Sequence, residues 1–234
     1  MLTEKKWKKE NMTENYLFKN FKNNISYKKK LIEVVKKMSN MEIGGYKFYD
    51  GSGTHYMQNP KEIVDLIFFL KKYEKKRKIK FQSFLEIGFA AGINNSFLNK
   101  FFNFKKIVAV DYVSPGGINK ETFFANLRFK NLVLICGDST KSNTVEKVSL
   151  LGPYDLIFID GGHSYETVKK DFNNYSRVLK KNGVIIMHDI FSDTVLGVPK
   201  FWKQIKKKYN KNYNFKEFFD NQQEFKYGIG VIVQ

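Results

Sequence analysis

The sequence predicts an α/β fold, a mostly parallel sheet that ends in an antiparallel pair of strands. Three observations carry this. Short apolar runs alternate with stretches of helical spacing from Phe84 to Tyr209, the pattern of parallel strands joined by crossover helices. The apolar runs are near-continuous rather than alternating, as in strands covered on both faces. The first run, Phe84 to Ile87, leads into a turn with Gly88 and Gly92, and Glu86 stands just before the first glycine. Ligands of open α/β sheets bind where a strand ends and its crossover begins. The turn is therefore read as the seat of a nucleoside-type cofactor.

Taken in order, residues 1 to about 40 are polar and lysine-dense. Tyr16 to Phe21 and Ile32 to Met38 each show one apolar stripe and read as helices of a solvated extension. Leu17, Phe18 and Phe21 in that extension need something to pack on. Gly44 to Gln58 carries turn signals at Gly44-Gly45 and around Gly51 and Gly53, and reads as a loop or irregular hairpin. The organisation expected is a lysine-rich extension with a cap or loop segment over 1–57 and a main domain over 58–234. Asn59-Pro60 opens a helix, and Ile63, Leu66, Ile67 and Leu70 carry it to about Tyr73. The basic run Lys75 to Lys80 links it to the first strand. Further strands are expected at Ile107–Val110, Leu132–Ile135, Leu156–Ile159 and Gly183–Met187. Helices are expected near Asn94–Phe102, Glu121–Phe129, Asn143–Leu150, Tyr165–Lys180 and Pro199–Tyr209, with Trp202 in the core. Asn214–Phe219 and Gly228–Val233 form the final pair, close enough in sequence to be antiparallel.

The chain has 234 residues, 42% of them hydrophobic, which suits one α/β domain with a real core. No apolar run reaches the ~18 residues of a membrane span, and the first residues lack an apolar signal core. A cytoplasmic protein is expected. The single cysteine, Cys136, is compatible with a reducing compartment. The net charge of +18 invites a polyanionic partner. Yet the only arginines are Arg77, Arg128 and Arg177, and arginine is the residue favoured for bidentate phosphate and base recognition. The abundance of Lys, Asn, Ile, Phe and Tyr fits an AT-rich coding sequence, so nucleic acid is a rival partner rather than the first reading.

Each of the five expected parallel strands ends on or beside a polar group: Glu86 and Gly88, then Asp111, Asp138 and Ser139, Asp160 and His163, and finally His188 and Asp189. Right-handed crossovers bring these ends to one edge of the sheet. A dinucleotide fingerprint would place its second and third glycines where Ala90 and Ile93 stand. A cofactor without phosphates makes no such demand, and Asp111 at the second strand end can accept a ribose diol. An adenosyl cofactor without phosphates fits better than NAD.

These residues resemble the class I S-adenosylmethionine-dependent methyltransferases, from about Gln58 to Val233. Glu86-Ile87-Gly88-Phe89-Ala90-Ala91-Gly92 is similar to the family's first motif, and Asp111 to its ribose-binding acid. Gly137-Asp138-Ser139 resembles the adenine loop. The stretch from Ile159 through Asp160, His163, Tyr165 and Glu166, with the later run to His188-Asp189-Ile190, is similar to the cephalosporin-hydroxylase-like and macrolide-sugar O-methyltransferase subgroup. Gln58-Asn59-Pro60-Lys61-Glu62 resembles the segment leading into the cofactor domain there. The resemblance implies a three-layer α/β/α, doubly wound, Rossmann-like fold with seven strands, the last antiparallel. It implies S-adenosyl-L-methionine held by Gln58, Glu86, Gly88, Gly92, Asp111, Asp138 and Ser139.

A hydroxyl acceptor is a weak nucleophile at neutral pH and calls for a base, a metal or both. Asp160 and Asp189 end adjacent strands and suit a shared divalent cation, Mg²⁺ or Mn²⁺. Subgroup members that use a metal usually carry a further acid beside the second aspartate. Here His188 stands there, and imidazole is a poorer Mg²⁺ ligand. His163 reads as a base or substrate contact, or else as a cap on the helix that follows it. His188 reads as a chemical group, or as one that orients Asp189. His55, in its glycine-rich segment, reads as a solvated loop residue, with Tyr56 a cofactor cover. The function expected is O-methylation of a small molecule, sugar or glycan hydroxyl. The rivals are a nucleic-acid methyltransferase or RNA-binding protein, and a non-catalytic binding protein of the same fold. A homo-oligomer stays open, and acceptor choice is expected in Gly44–Gln58 and Val113–Lys120.

Overall fold

The computed structural model describes residues 17–39, 46–47, 53–54, 57–90, 92–112, 131–222 and 226–233. The expected helix at Glu121–Phe129, the Val113–Lys120 loop, His55 and Tyr56 lie outside them. Helix α1 spans Ile25–Ser39, and a two-residue antiparallel pair follows, β1 (Tyr46–Lys47) with β2 (Gly53–Thr54). Helix α2 is Pro60–Arg77. The alternation expected from the sequence comes next: β3 (Ser83–Ile87), α3 (Ile93–Phe102), β4 (Lys106–Asp111), β5 (Leu132–Cys136), α4 (Ser142–Leu150), β6 (Tyr154–Ile159), α5 (Tyr165–Tyr175) and β7 (Leu179–Met187). Helix α6 (Gly197–Tyr209) and strands β8 (Asn214–Phe218) and β9 (Ile229–Val233) complete the chain.

Seven strands form one sheet in the order β5-β4-β3-β6-β7-β9-β8. The first five are parallel, and β9 inserts antiparallel to both β7 and β8. Alternate side chains of each strand point to opposite faces, and two apolar cores result. Phe84, Phe158, Val184, Ile186, Val231 and Val233 meet α1, α2 and α3. Leu85, Ile87, Val108, Ile157, Ile185 and Ile232 meet α4, α5 and α6. This is the three-layer, mostly parallel, seven-stranded architecture with a reversed last strand.

Local chemistry sets the elements. Asn59 caps α2 by accepting the amides of Lys61 and Glu62 at 2.9 and 3.1 Å, with Pro60 as the first helical residue. Ser164 caps α5 through the Thr167 amide. The expected helix to Lys180 stops at Tyr175, and a 3-10 turn at Ser176–Val178 leads straight into β7. Within β7, Asn182 has a φ of +62° that interrupts the regular strand backbone. The register jumps there, from Tyr154 opposite Leu179 to Leu156 opposite Val184.

The extension is not solvated where it is described. Phe18, Tyr27, Leu31 and Val35 are buried in the core that contains α2. Phe18 makes edge contacts with Phe97 and Phe101, and Tyr27 donates its hydroxyl to the Leu17 carbonyl at 2.6 Å. Burying side chains of this size contributes roughly 1.5–3 kcal/mol each. The sequence shows the stripe but not the core it meets, and the lysines of α1 lie on its outer face.

Candidate active site

The five parallel strands end in register. Ile87 lies opposite Val110 and Ile159, Asp111 opposite Cys136, and Ile159 opposite Met187. The ladder continues past each end: Gly88 N donates to Val110 O, Gly137 N to Asp111 O, Asp160 N to Ile87 O and His188 N to Ile159 O, at 2.8–3.1 Å. A cavity of about 840 Å³ opens over this edge. Among the described residues, it is lined by Gln58, Glu86, Gly88, Asp111, Asp138, Ser139, Asp160, His163, His188 and Asp189. Gly92 does not line it. Its amide donates to Phe89 O at 2.7 Å, and it caps α3.

One end of the cavity is built around the glycine turn. Gly88 has φ of +91°, and a Cβ there would lie 1.9 Å from the Asp160 carbonyl oxygen. Only glycine allows the turn to pass so close to the next strand. Asp111 holds the turn in place: its Oδ2 accepts the amides of Phe89 at 2.8 Å and Ala90 at 2.6 Å. Glu86 is fully buried beneath, accepting from Asn94 at 2.7 Å and Asn95 at 3.0 Å. Burial pushes its carboxyl up to about 8, against those two hydrogen bonds. Asp138 accepts the Thr140 amide and hydroxyl at 2.8 and 2.7 Å, and these bonds lower its pKa. The Ser139 carbonyl accepts from the Tyr175 hydroxyl at 2.6 Å.

The other end gathers two carboxylates and two imidazoles. His188 Nδ1 donates between Asp160 Oδ1 at 3.2 Å and Asp189 Oδ1 at 3.3 Å. His163 Nε2 meets Asp189 Oδ2 at 3.1 Å, and Gln58 Nε2 donates to Asp160 Oδ2 at 3.1 Å. Every oxygen of the two aspartates thus has a donor. Burial alone would discharge His188, but the facing carboxylates outweigh it and push its pKa up to about 10. The Asp189 hydrogen bond raises His163 against its partial burial. Burial would raise Asp189, and the hydrogen bonds from both imidazoles instead hold it well below the usual range. Asp189 carries this load with a left-handed φ of +61°, which aspartate tolerates better than most residues. One donor atom each from Asp160, His163 and Asp189 lies within 4.8 Å of the others. The metal-type cluster therefore takes in His163 beside the two aspartates, with His188 behind them.

The structure also brings in residues that the motifs did not mark. Tyr227 lines the cavity and stacks on His188, with ring centroids 5.5 Å apart and planes 23° apart. Asn94 and Asn95 satisfy Glu86. Ser192, Thr194 and Val195 line the wall beyond Asp189. The signal for Asn94 and Asn95 was available, as two adjacent amides opening a helix after the glycine turn. Nothing local marks Tyr227, which reaches the site through the β8–β9 connection.

Residues 85–190 match the family model described as a methyltransferase domain. A candidate caffeoyl-CoA O-methyltransferase from Staphylococcus aureus shares this fold with a TM-score of 0.56, at 16% identity, over 87% of this chain and 91% of its own. Over residues 85–190 the chain is similar to a methyltransferase domain, and the shared fold is the Rossmann-like methyltransferase fold. A second solved methyltransferase, an O-methyltransferase from Bacillus cereus in complex with SAH, gives a TM-score of 0.57 at 13% identity over 95% of this chain and 97% of its own. At such identities the likeness is one of fold. An uncharacterized protein of Acanthamoeba polyphaga mimivirus is 28% identical over 112 residues, covering 46% of this chain and 51% of that protein. The chain spans about half the length of the curated relative it matches. The family match covers β3 through the start of the segment after β7, the part of this chain that carries both ends of the cavity.

Proposed function

We propose that this chain transfers the methyl group of S-adenosylmethionine to a hydroxyl of a neutral small molecule or sugar. The observation that carries the reading is the sharing of one cavity by the glycine-turn carboxylates and the Asp160–His163–Asp189 cluster. Gly88 would hold the methionine end of the cofactor, with Glu86 beneath the turn. Asp111 uses Oδ2 for the turn, which leaves Oδ1 for the ribose hydroxyls. Asp138 and Ser139 would hold the adenine, and Gln58 lines the cavity while donating to Asp160.

In the transfer, the acceptor oxygen attacks the methyl carbon, the C–S bond breaks with its electron pair going to sulfur, and the hydroxyl proton leaves. His163 is the residue placed to take that proton. It is half-exposed, in reach of the cavity, and oriented by Asp189. Its raised pKa makes it a stronger base once its own proton is gone. Asp160, held by His188 and Gln58, is placed to accept a second acceptor hydroxyl and set the line of attack. The donor set of Asp160, Asp189 and His163 also fits a divalent cation, with an imidazole ligand favouring Mn²⁺ over Mg²⁺. When bound, such an ion would lower the pKa of a coordinated hydroxyl.

The acceptor class follows from charge. The chain carries +18, yet among the described residues the cavity is lined by no lysine or arginine and by several carboxylates. That wall suits a neutral polyol and opposes a phosphate-bearing acceptor. The test is methyl-labelled S-adenosylmethionine offered with sugars, catechols and RNA in parallel, with and without exhaustive chelation. The expected result is label on a hydroxyl oxygen of a neutral acceptor. Label on RNA would overturn the acceptor class, and turnover untouched by chelation would remove the cation.

A further inference from the structure

The first turn of α2 reaches the site from a different direction. Glu62 is fully buried, and each of its oxygens is spent on a backbone amide: Oε1 accepts from Asp220 N and Oε2 from Gly228 N, both at 2.9 Å. These amides stand at the two ends of the β8–β9 connection, so one carboxylate closes it. A buried carboxylate is costly unless hydrogen-bonded, and two charge-assisted bonds of this kind are strong ones. Gly228 is tied further. Its carbonyl accepts from Ile190 N at 3.2 Å, and the Tyr227 carbonyl accepts from Phe191 N at 2.8 Å. Its φ of +80° and the Phe191 ring, which a Cβ would meet at 2.6 Å, leave no room for another residue.

Tyr227 is therefore held at its own carbonyl and at both the amide and the carbonyl of the next residue, and its ring lies against His188. His188 in turn bridges Asp160 and Asp189. Four residues before Glu62 and ahead of the helix, Gln58 donates to Asp160 directly. A clamp that served the fold alone would need only to close the loop. Here the residue beside the clamped amide is the one that enters the cavity.

We propose that Glu62 is a positioning residue of the acceptor site. Through the Gly228 and Asp220 amides it seats Tyr227 on His188, and so fixes the imidazole that sets the two aspartates. The inference rests on the reading of that cluster as the site of methyl transfer.

The test uses the full chain and two readouts. His188 is one of three histidines, so its ring-proton resonances can be assigned by their loss in His188→Asn. Glu62→Gln turns an acceptor oxygen into an amide that faces an amide donor. It should move the His188 resonances by releasing the Tyr227 ring current. It should also lower kcat by about 10- to 100-fold while leaving S-adenosylmethionine affinity near wild type. Tyr227→Leu should reproduce both effects without touching the clamp, and Tyr227→Phe, which keeps the stacked ring, should restore them. Unmoved His188 resonances in a folded Glu62→Gln or Tyr227→Leu protein would overturn the proposal. So would a parallel fall of kcat and cofactor affinity. If the wild type methylates no acceptor, the transfer reading fails, and the resonances alone decide the positioning role.

Discussion

Glu86, Asp111, Asp138, Asp160 and Asp189 all line one cavity, so their mutual repulsion has to be met residue by residue. Asp111 is held by two main-chain amides and Asp138 by Thr140, while Asp160 and Asp189 share His188. Glu86 has only the two asparagine amides and full burial, and its carboxyl keeps its proton up to about 8. The unfolded chain releases that proton near the ordinary glutamate value of about 4.3. With the folded pKa raised, the folded state binds the extra proton between these values. Its stabilising effect is complete below about 4.3 and is lost as pH rises towards about 8. Glu86→Gln removes the titration and keeps the shape. Denaturant unfolding from pH 5 to 8 should show wild-type stability falling relative to Glu86→Gln, and parallel curves would contradict the assignment. Sequence alone placed Glu86 at the turn, since its spacing to Gly88 is local. It did not show that side chains rather than backbone amides would satisfy the carboxylate.

At the scale of elements, the parallel strands were legible because burial on both faces leaves unbroken apolar runs, and their ends were legible with them. The N-terminal extension was misread as solvated because helical spacing shows that an apolar stripe exists and not what it meets. Leu31 and Val35 meet α2, a partner set by the return of the chain. Leu31→Ala should therefore cost about 2–5 kcal/mol in a denaturant titration, where a solvated helix would lose less than about 0.5 kcal/mol. The end of α5 was misplaced for a related reason. Val178 and Leu179 continue the helical apolar pattern, but Asn182 and Gly183 create a bulge that recruits Leu179 into the sheet. Tyr227, and the bond from Glu62 to the Gly228 amide beside it, escaped notice because both depend on β9 inserting between β7 and β8. That is an order fixed by the whole sheet and by no local signal.

Across the whole molecule, the basic charge and the acidic cavity separate. Among the described residues many lysines lie on helices, and α6 carries Lys206, Lys207 and Lys208 in its last turn. The described walls of the cavity hold none. Net charge therefore describes the surface, and the strand-end carboxylates describe the chemistry. This is why the composition pointed towards polyanions and the motif positions pointed elsewhere. No described helix is long and apolar enough to cross a membrane.

The central claim is that the cavity over the ends of β3, β4 and β5 binds S-adenosylmethionine through Asp111. Calorimetry of the full chain with S-adenosylmethionine tests it most directly, with Asp111→Asn as the partner variant. That variant keeps an oxygen for the Phe89 and Ala90 amides and removes the charge offered to the ribose. Saturable binding by the wild type, weakened about 10- to 100-fold in a folded Asp111→Asn protein, is the result the account predicts. No heat from the folded wild type, or equal affinity in the two proteins, would contradict it.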